Sequence, residues 1–216
     1  MTYEGLRLKL LRQYRLKFAK IRRKILENTN FTIISNNCWG GMIYESYDLP
    51  KESPTVGMFF MADEYIRFLG SIKDYISKEI TFIPPEQSRY ADVLRKDKRF
   101  GSYPIGMIGD VEVAFLHYHS EQEAKEKWER RCTRINWDKL IVKFNDQNGC
   151  TDDHVRAFAK LDFKNKLFFT IRDWNVEKWY GYCRIKQLTG EPFITASHEP
   201  FGDNRYIDLT KMINSL

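Results

Sequence analysis

The sequence predicts an α/β protein, a three-layer arrangement in which a mixed, mostly parallel sheet is flanked by helices, with a β-hairpin and an N-terminal amphipathic helix. Three observations predict it. Short apolar runs of strand length alternate with segments of helical periodicity. The stretch 139–171 reads as strand, helix, strand, which the right-handed crossover rule turns into parallel neighbours. Gly109-Asp110 between two apolar runs marks a two-residue hairpin turn.

In chain order, residues 1–28 form the first unit. Leu11, Tyr14, Phe18, Ile21 and Ile25 recur at spacings of three and four, which places them on one helical stripe with lysines and arginines opposite. The apolar runs 31–35 and 55–60 read as strands, and 62–78 as one helix with Tyr65, Phe68, Leu69, Ile72 and Ile76 on its apolar side. A strand at 80–83 is closed by Pro84-Pro85, and the polar stretch 86–101 reads as a long surface loop. The hairpin follows, with strands at 103–108 and 111–118. Ser120-Glu121-Gln122-Glu123 has the form of a capping box, so a helix is expected from there to about residue 135, with i,i+4 pairs Glu121/Lys125, Glu123/Lys127 and Glu126/Arg130. Strands at 139–144 and 166–171 enclose a helix at 151–161. The Gly-, Pro- and aromatic-rich tail after 180 resists assignment, apart from a short helix at 208–215. Residues 29–216 are read as a single α/β domain.

Composition bounds the function. With 216 residues, 43% of them apolar, the chain can bury a substantial core. The four widely spaced cysteines, without a C-x-x-C pair, fit a reducing cytoplasm better than a disulfide or zinc framework. No apolar run is long enough to span a bilayer, and no secretory signal is visible. The net charge is +6, yet residues 1–28 hold nine basic against two acidic side chains, so the rest of the chain is close to neutral. A basic helix on a neutral body suits an anionic membrane surface or a docking partner; solvated charges over a core-packed stripe are the simpler alternative. Without a recognised reader motif, nucleic acid is not an expected partner.

Two loops carry the candidate chemistry, because ligands of α/β sheets bind beyond the carboxyl ends of strands. The first is Asn36-Asn37-Cys38-Trp39-Gly40-Gly41; the second is Asn145-Asp146-Gln147-Asn148-Gly149-Cys150, ahead of a helix N-terminus. The second resembles a calcium loop only superficially. With Gly149 at the sixth position, neither the first nor the twelfth position is acidic, so EF-hand binding is rejected. No metal and no cofactor are expected. Cys38 would be a nucleophile only with a base beside it, and His117 is the candidate. Both also have structural readings: a small buried hydrophobe for Cys38, and a histidine continuing the apolar face of Val111, Val113 and Phe115 for His117. Arg130, Arg131 and Arg134 close the helix that follows, either neutralising its C-terminal dipole or gripping phosphate with their forks.

The stretches NNCWGG, SPTVGMFF, YPIGMIGDVEVAFLHYHSEQEAKEKWERRCTRIN and NDQNGC resemble the DUF1919 family, small bacterial proteins often labelled exopolysaccharide or capsule biosynthesis proteins. The likeness covers about residues 30–175. It implies an α/β fold and a shared site at Asn36, Cys38, Trp39, Gly40, Gly41, His117, Tyr118, Trp128, Arg130, Arg131, Arg134, Asn136 and Asn145. The setting it implies is surface-polysaccharide assembly, without a mechanism; taken with the basic helix, which lies outside the likeness, it leads to the reading of a cytoplasmic transferase acting on a sugar nucleotide or lipid-linked saccharide, held at the inner membrane face by residues 1–28. Two other readings stand beside it. One is a cysteine-dependent hydrolase or acyltransferase using Cys38 and His117; the other is a non-catalytic saccharide-binding protein with Trp39, Trp128 and Trp137 as stacking faces.

Overall fold

A computed structural model describes residues 2–216; the first residue of the expected N-terminal segment lies outside them. Helix α1 (Tyr3–Lys24) begins where Thr2 accepts a hydrogen bond from Gly5 N. Strand β1 (Thr32–Ser35) leads through a short corner into α2 (Trp39–Ser46). The expected strand at 55–60 is instead a tight turn ending in a single antiparallel bridge, Phe59 to Ala114. Gly57 at φ +82° makes that turn, a backbone state that a β-branched run cannot continue through. The single helix expected over 62–78 is two, α3 (Ala62–Gly70) and α4 (Ile72–Ile76), interrupted at Ser71 where ψ turns to +45°.

Strand β2 (Ile80–Ile83), the short helix α5 (Ala91–Leu94) within the expected loop, and the hairpin strands β3 (Ile105–Ile108) and β4 (Val111–Ala114) follow. Then come α6 (Glu121–Cys132), β5 (Leu140–Asn145), α7 (Asp152–Lys160), β6 (Lys166–Thr170), β7 (Tyr182–Arg184) and α8 (Leu209–Asn214). The capping box of α6 is offset by one residue. Ser120 accepts from Glu123 N, while the Glu123 carboxylate reaches back to His119 N. Of the expected surface pairs on α6, Glu123 and Lys127 meet at 2.5 Å.

The sheet organisation is α/β, divided into a parallel four-stranded sheet, order β1-β5-β6-β7, and an antiparallel three-stranded sheet, order β2-β3-β4. Period-two alternation in the parallel strands feeds two cores. Ile34, Val142, Phe144 and Phe168 face α3, α6 and the antiparallel sheet, while Ile33, Ile141, Leu167 and Phe169 face α2 and α8. Strand β7, absent from the sequence reading, pairs with β6 because Gly181 brings the backbone against it. A Cβ at Gly181 would lie 1.7 Å from Lys166 O, so Gly181→Ala is expected to detach β7 and lower stability by about 3 kcal/mol or more, read by urea denaturation.

The α1 stripe needs correction. Tyr14, Ile21 and Ile25 are exposed, and the inward face carries Arg15 and Ala19 with the half-buried Leu11, Phe18 and Arg22. Arginine forks decide the rotation: Arg22 donates to Ser46 O, Arg23 to Asp48 O, and Arg12 and Arg15 reach Glu45. These acceptors cluster at the C-terminal end of α2, where free carbonyls and the negative dipole favour cations. Among the described residues no helix is long and apolar enough to cross a membrane.

Candidate functional site

The corner between β1 and α2 is built for close approach. Asn37 Oδ1 accepts from Trp39 N at 3.0 Å and so starts the helix. A Cβ at Gly40 would stand 3.2 Å from the Ile33 side chain, and one at Gly41 3.1 Å from Val56, so the paired glycines let α2 lie against β1 and the 53–57 turn. Trp39 is fully buried, its Nε1 donating to Pro200 O at 2.7 Å and its ring set edge-on to Phe169. Cys38, half-buried at the N-cap position, is left at the rim of this corner.

His117 meets it there, its Nε2 3.1 Å from Cys38 Sγ. The expected strand 111–118 ends at Ala114, so His117 does not continue an apolar face; it sits exposed in the turn beyond β4. Its backbone is fixed by His117 N donating to Gly57 O at 3.1 Å. The same turn is pinned from behind, where Tyr118 Oη donates to Val56 O at 2.6 Å and Arg131 donates to Val56 O and to Tyr118 Oη. Tyr118 and Arg131 thus position the loop that carries His117 and do not reach its ring.

Beside Cys38 lies a buried polar network. Lys143, on the same face of β5 as Ile141, forms a fully buried ion pair with Glu199 and donates to Asn37 Oδ1 at 3.0 Å. Asn37 Nδ2 bonds both Glu199 oxygens at 3.1 Å, and Asn145 Nδ2 bonds Glu199 Oε1 at 2.8 Å. Asn36 closes the network through Asn145 Oδ1 at 2.7 Å. The Trp39 and Phe169 rings lie 6.0 and 5.6 Å from Lys143 Nζ, a cation–π lining. Asp146 belongs to the scaffold, accepting from Thr170 Oγ1, Ile171 N and Ile194 N.

Burial pushes the Cys38 thiol up to about 11, with the Glu199 charge adding to the rise and Lys143 opposing it. His117 is held below the usual imidazole value by partial desolvation and then by Arg99 and Lys51. Burial also lowers Lys143, against the pull of Glu199. The resting pair at neutral pH is therefore a neutral thiol beside a neutral imidazole, in contrast to a preformed thiolate–imidazolium pair. Such an arrangement suits general-base catalysis, in which the imidazole takes the thiol proton as sulfur attacks.

Of the expected site residues, Cys38 and His117 come together, and Asn36 and Asn145 join in the adjoining network. Gly40 and Gly41 serve packing. The three arginines diverge: Arg130 is exposed, Arg131 is buried on Val56 O and Tyr118 Oη, and Arg134 pairs with Glu52 at 2.5 Å. They form no common anion clamp. Arg131→Ala is expected to cost about 1–3 kcal/mol, by removing a buried charged donor shared by Val56 O and Tyr118 Oη, while Arg134→Ala costs under about 1 kcal/mol; chemical denaturation distinguishes them. Trp39 and Trp128 are buried, which removes them as stacking faces, and the exposed Trp137 stands against Lys73. Asn136 secures the turn before β5 by donating to Asn30 O and, through its N–H, to Thr32.

The sequence reading missed Lys143 and Glu199 as members of the site; Asn37 and Gln147 lay within the two expected loops without being singled out, Gln147 accepting from Asn145 Nδ2 at 3.0 Å. One signal was available: Lys143 is the sole charge in the strand Leu-Ile-Val-Lys-Phe-Asn, and a charge in a buried strand requires a partner.

Fold and site together define an α/β protein with a thiol–imidazole pair at the carboxyl end of a parallel sheet. The model of the family DUF1919, a domain of unknown function, matches residues 10–214, and the chain belongs to this family. An uncharacterized protein of Haemophilus influenzae is 35% identical over 164 residues, which is 76% of this chain and 72% of that protein.

Proposed function

We propose that the protein is a cysteine-dependent acyl-transfer enzyme, a hydrolase or acyltransferase, with Cys38 as nucleophile and His117 as general base. The observation that carries it is the 3.1 Å approach of His117 Nε2 to Cys38 Sγ. In the first half-reaction His117 takes the thiol proton while sulfur attacks the acyl carbon; a thioester forms and the leaving group departs with that proton. In the second, His117 accepts a proton from water or an acceptor hydroxyl, whose oxygen attacks the thioester and releases the thiol, to which the proton returns. If the protein serves exopolysaccharide assembly, as the family resemblance implies, the acceptor class is a saccharide hydroxyl. The sugar-nucleotide transferase reading is weaker, because Arg131 and Arg134, the forks suited to a diphosphate, are engaged with Tyr118 and Glu52. Cytoplasmic location at the inner membrane face accompanies the proposal.

The test is intact-mass analysis after incubation with p-nitrophenyl acetate, followed by peptide mapping. One acetyl group on Cys38, absent from Cys38→Ala, is the expected result. Burial also raises Cys132 and Cys183, to about 12 and about 11, and neither has a histidine partner. Acetylation spread over these cysteines, with none at Cys38, contradicts the assignment.

A further inference from the structure

Helix α1 sorts its cations by type. All five arginines turn toward the body: Arg7 donates to Ser197 O, and Arg12, Arg15, Arg22 and Arg23 hold the C-terminal end of α2. The four lysines, Lys9, Lys17, Lys20 and Lys24, are exposed and make no hydrogen bond or ion pair among the described residues. Between and beside them runs an outward apolar stripe. Tyr3, Leu6, Leu10, Tyr14, Ile21 and Ile25 are 48–69% exposed, with Lys17 filling the helical position between Tyr14 and Ile21. At 3.6 residues per turn these seven positions fall within an arc of about 100°. Lys9, Lys20 and Lys24 follow along one border of it.

We infer that this outer face of α1 is a docking surface for an anionic lipid bilayer, with the helix lying in the interface plane. An exposed apolar stripe of this kind is what an interfacial helix buries at the headgroup boundary, and lysine ammonium groups on flexible stems reach from its border to lipid phosphates. Charge selects this occupant. A second copy of the same helix would bring eight lysines together without a carboxylate among them, since Glu4 is committed to Ser197 N and Glu27 lies beyond the helix. The arginines remain on the protein side, so docking needs no rearrangement. Because Arg7 and Glu4 grip Ser197, two residues before Glu199, the docked helix also holds the segment that completes the Cys38 site close to the membrane surface.

The test is co-sedimentation of the full chain with vesicles of phosphatidylcholine and phosphatidylglycerol, against vesicles of phosphatidylcholine alone. Binding is expected to require phosphatidylglycerol and to weaken with salt. Neutralising Lys9, Lys17, Lys20 and Lys24 to Gln is expected to weaken it by about 5-fold per lysine. Leu10→Gln with Ile21→Gln, which leaves every charge in place, should weaken it by at least about tenfold. All six positions are exposed, and unchanged thermal melting confirms that the variants fold. Equal binding to both vesicle types, insensitivity to either set of substitutions, or a solution dimer dissolved by Leu10→Gln would overturn the inference.

Discussion

Replacing His117 with alanine is expected to slow acylation of Cys38 by p-nitrophenyl acetate about 10²–10⁴-fold at neutral pH, without affecting folding, because the side chain is exposed and carries none of the packing. The size follows from the thiol. Raised to about 11, Cys38 is ionised in only roughly one molecule in ten thousand at pH 7, so direct thiolate attack is a small residual path. The pH profile gives the sign independently. In the intact protein the base form of His117 is needed; its value lies below 6.5, so the rate should fall only as pH drops through the acid side of neutrality. From neutrality the rate should be level for about two to four pH units, until the residual thiolate path, rising tenfold per unit, overtakes it. In His117→Ala the plateau should vanish, with the rate rising about tenfold per pH unit because only the thiolate reacts. A level profile in the variant would mean that His117 is not the base.

Lys143→Met is expected to destabilise the protein by about 3–5 kcal/mol in urea denaturation, since it leaves the Glu199 carboxylate buried without its counter-charge. Adding Glu199→Gln should recover part of the loss, because the amide oxygen still accepts from Asn37 and Asn145 while the stranded charge is gone. The double variant being less stable than Lys143→Met alone would show that Glu199 is held by something other than this pair.

Local pattern made much of the fold legible. The β5-α7-β6 crossover, the Gly109-Asp110 hairpin and the start of α6 each depend on residues a few positions apart, and each is found where the spacing puts it. Failures arose where a distant contact decides. The run 55–60 has strand composition, yet the Val56 carbonyl is claimed by Tyr118 and Arg131, and the chain turns at Gly57. The N-terminal helix has two apolar stripes; which one faces inward depends on Glu45 and the α2 carbonyls that its arginines reach. Glu199 lies in the tail that offered no periodicity, 56 residues from Lys143. For the site, the two strand-end loops could be read because glycines and asparagines mark such corners. The pairing of Cys38 with His117, 79 residues apart, comes from the 53–57 turn holding the end of β4 against α2, which no spacing in the sequence records.

The most direct measurement is a double-mutant cycle on turnover of p-nitrophenyl acetate, comparing the native chain with Cys38→Ala, His117→Ala and the two combined. If thiol and imidazole act as one unit, removing His117 matters only while the thiol is present, and the combined variant should be no slower than Cys38→Ala alone. A His117→Ala effect of the same factor with and without Cys38 would contradict that, and would mean that the two side chains stand 3.1 Å apart without sharing a reaction.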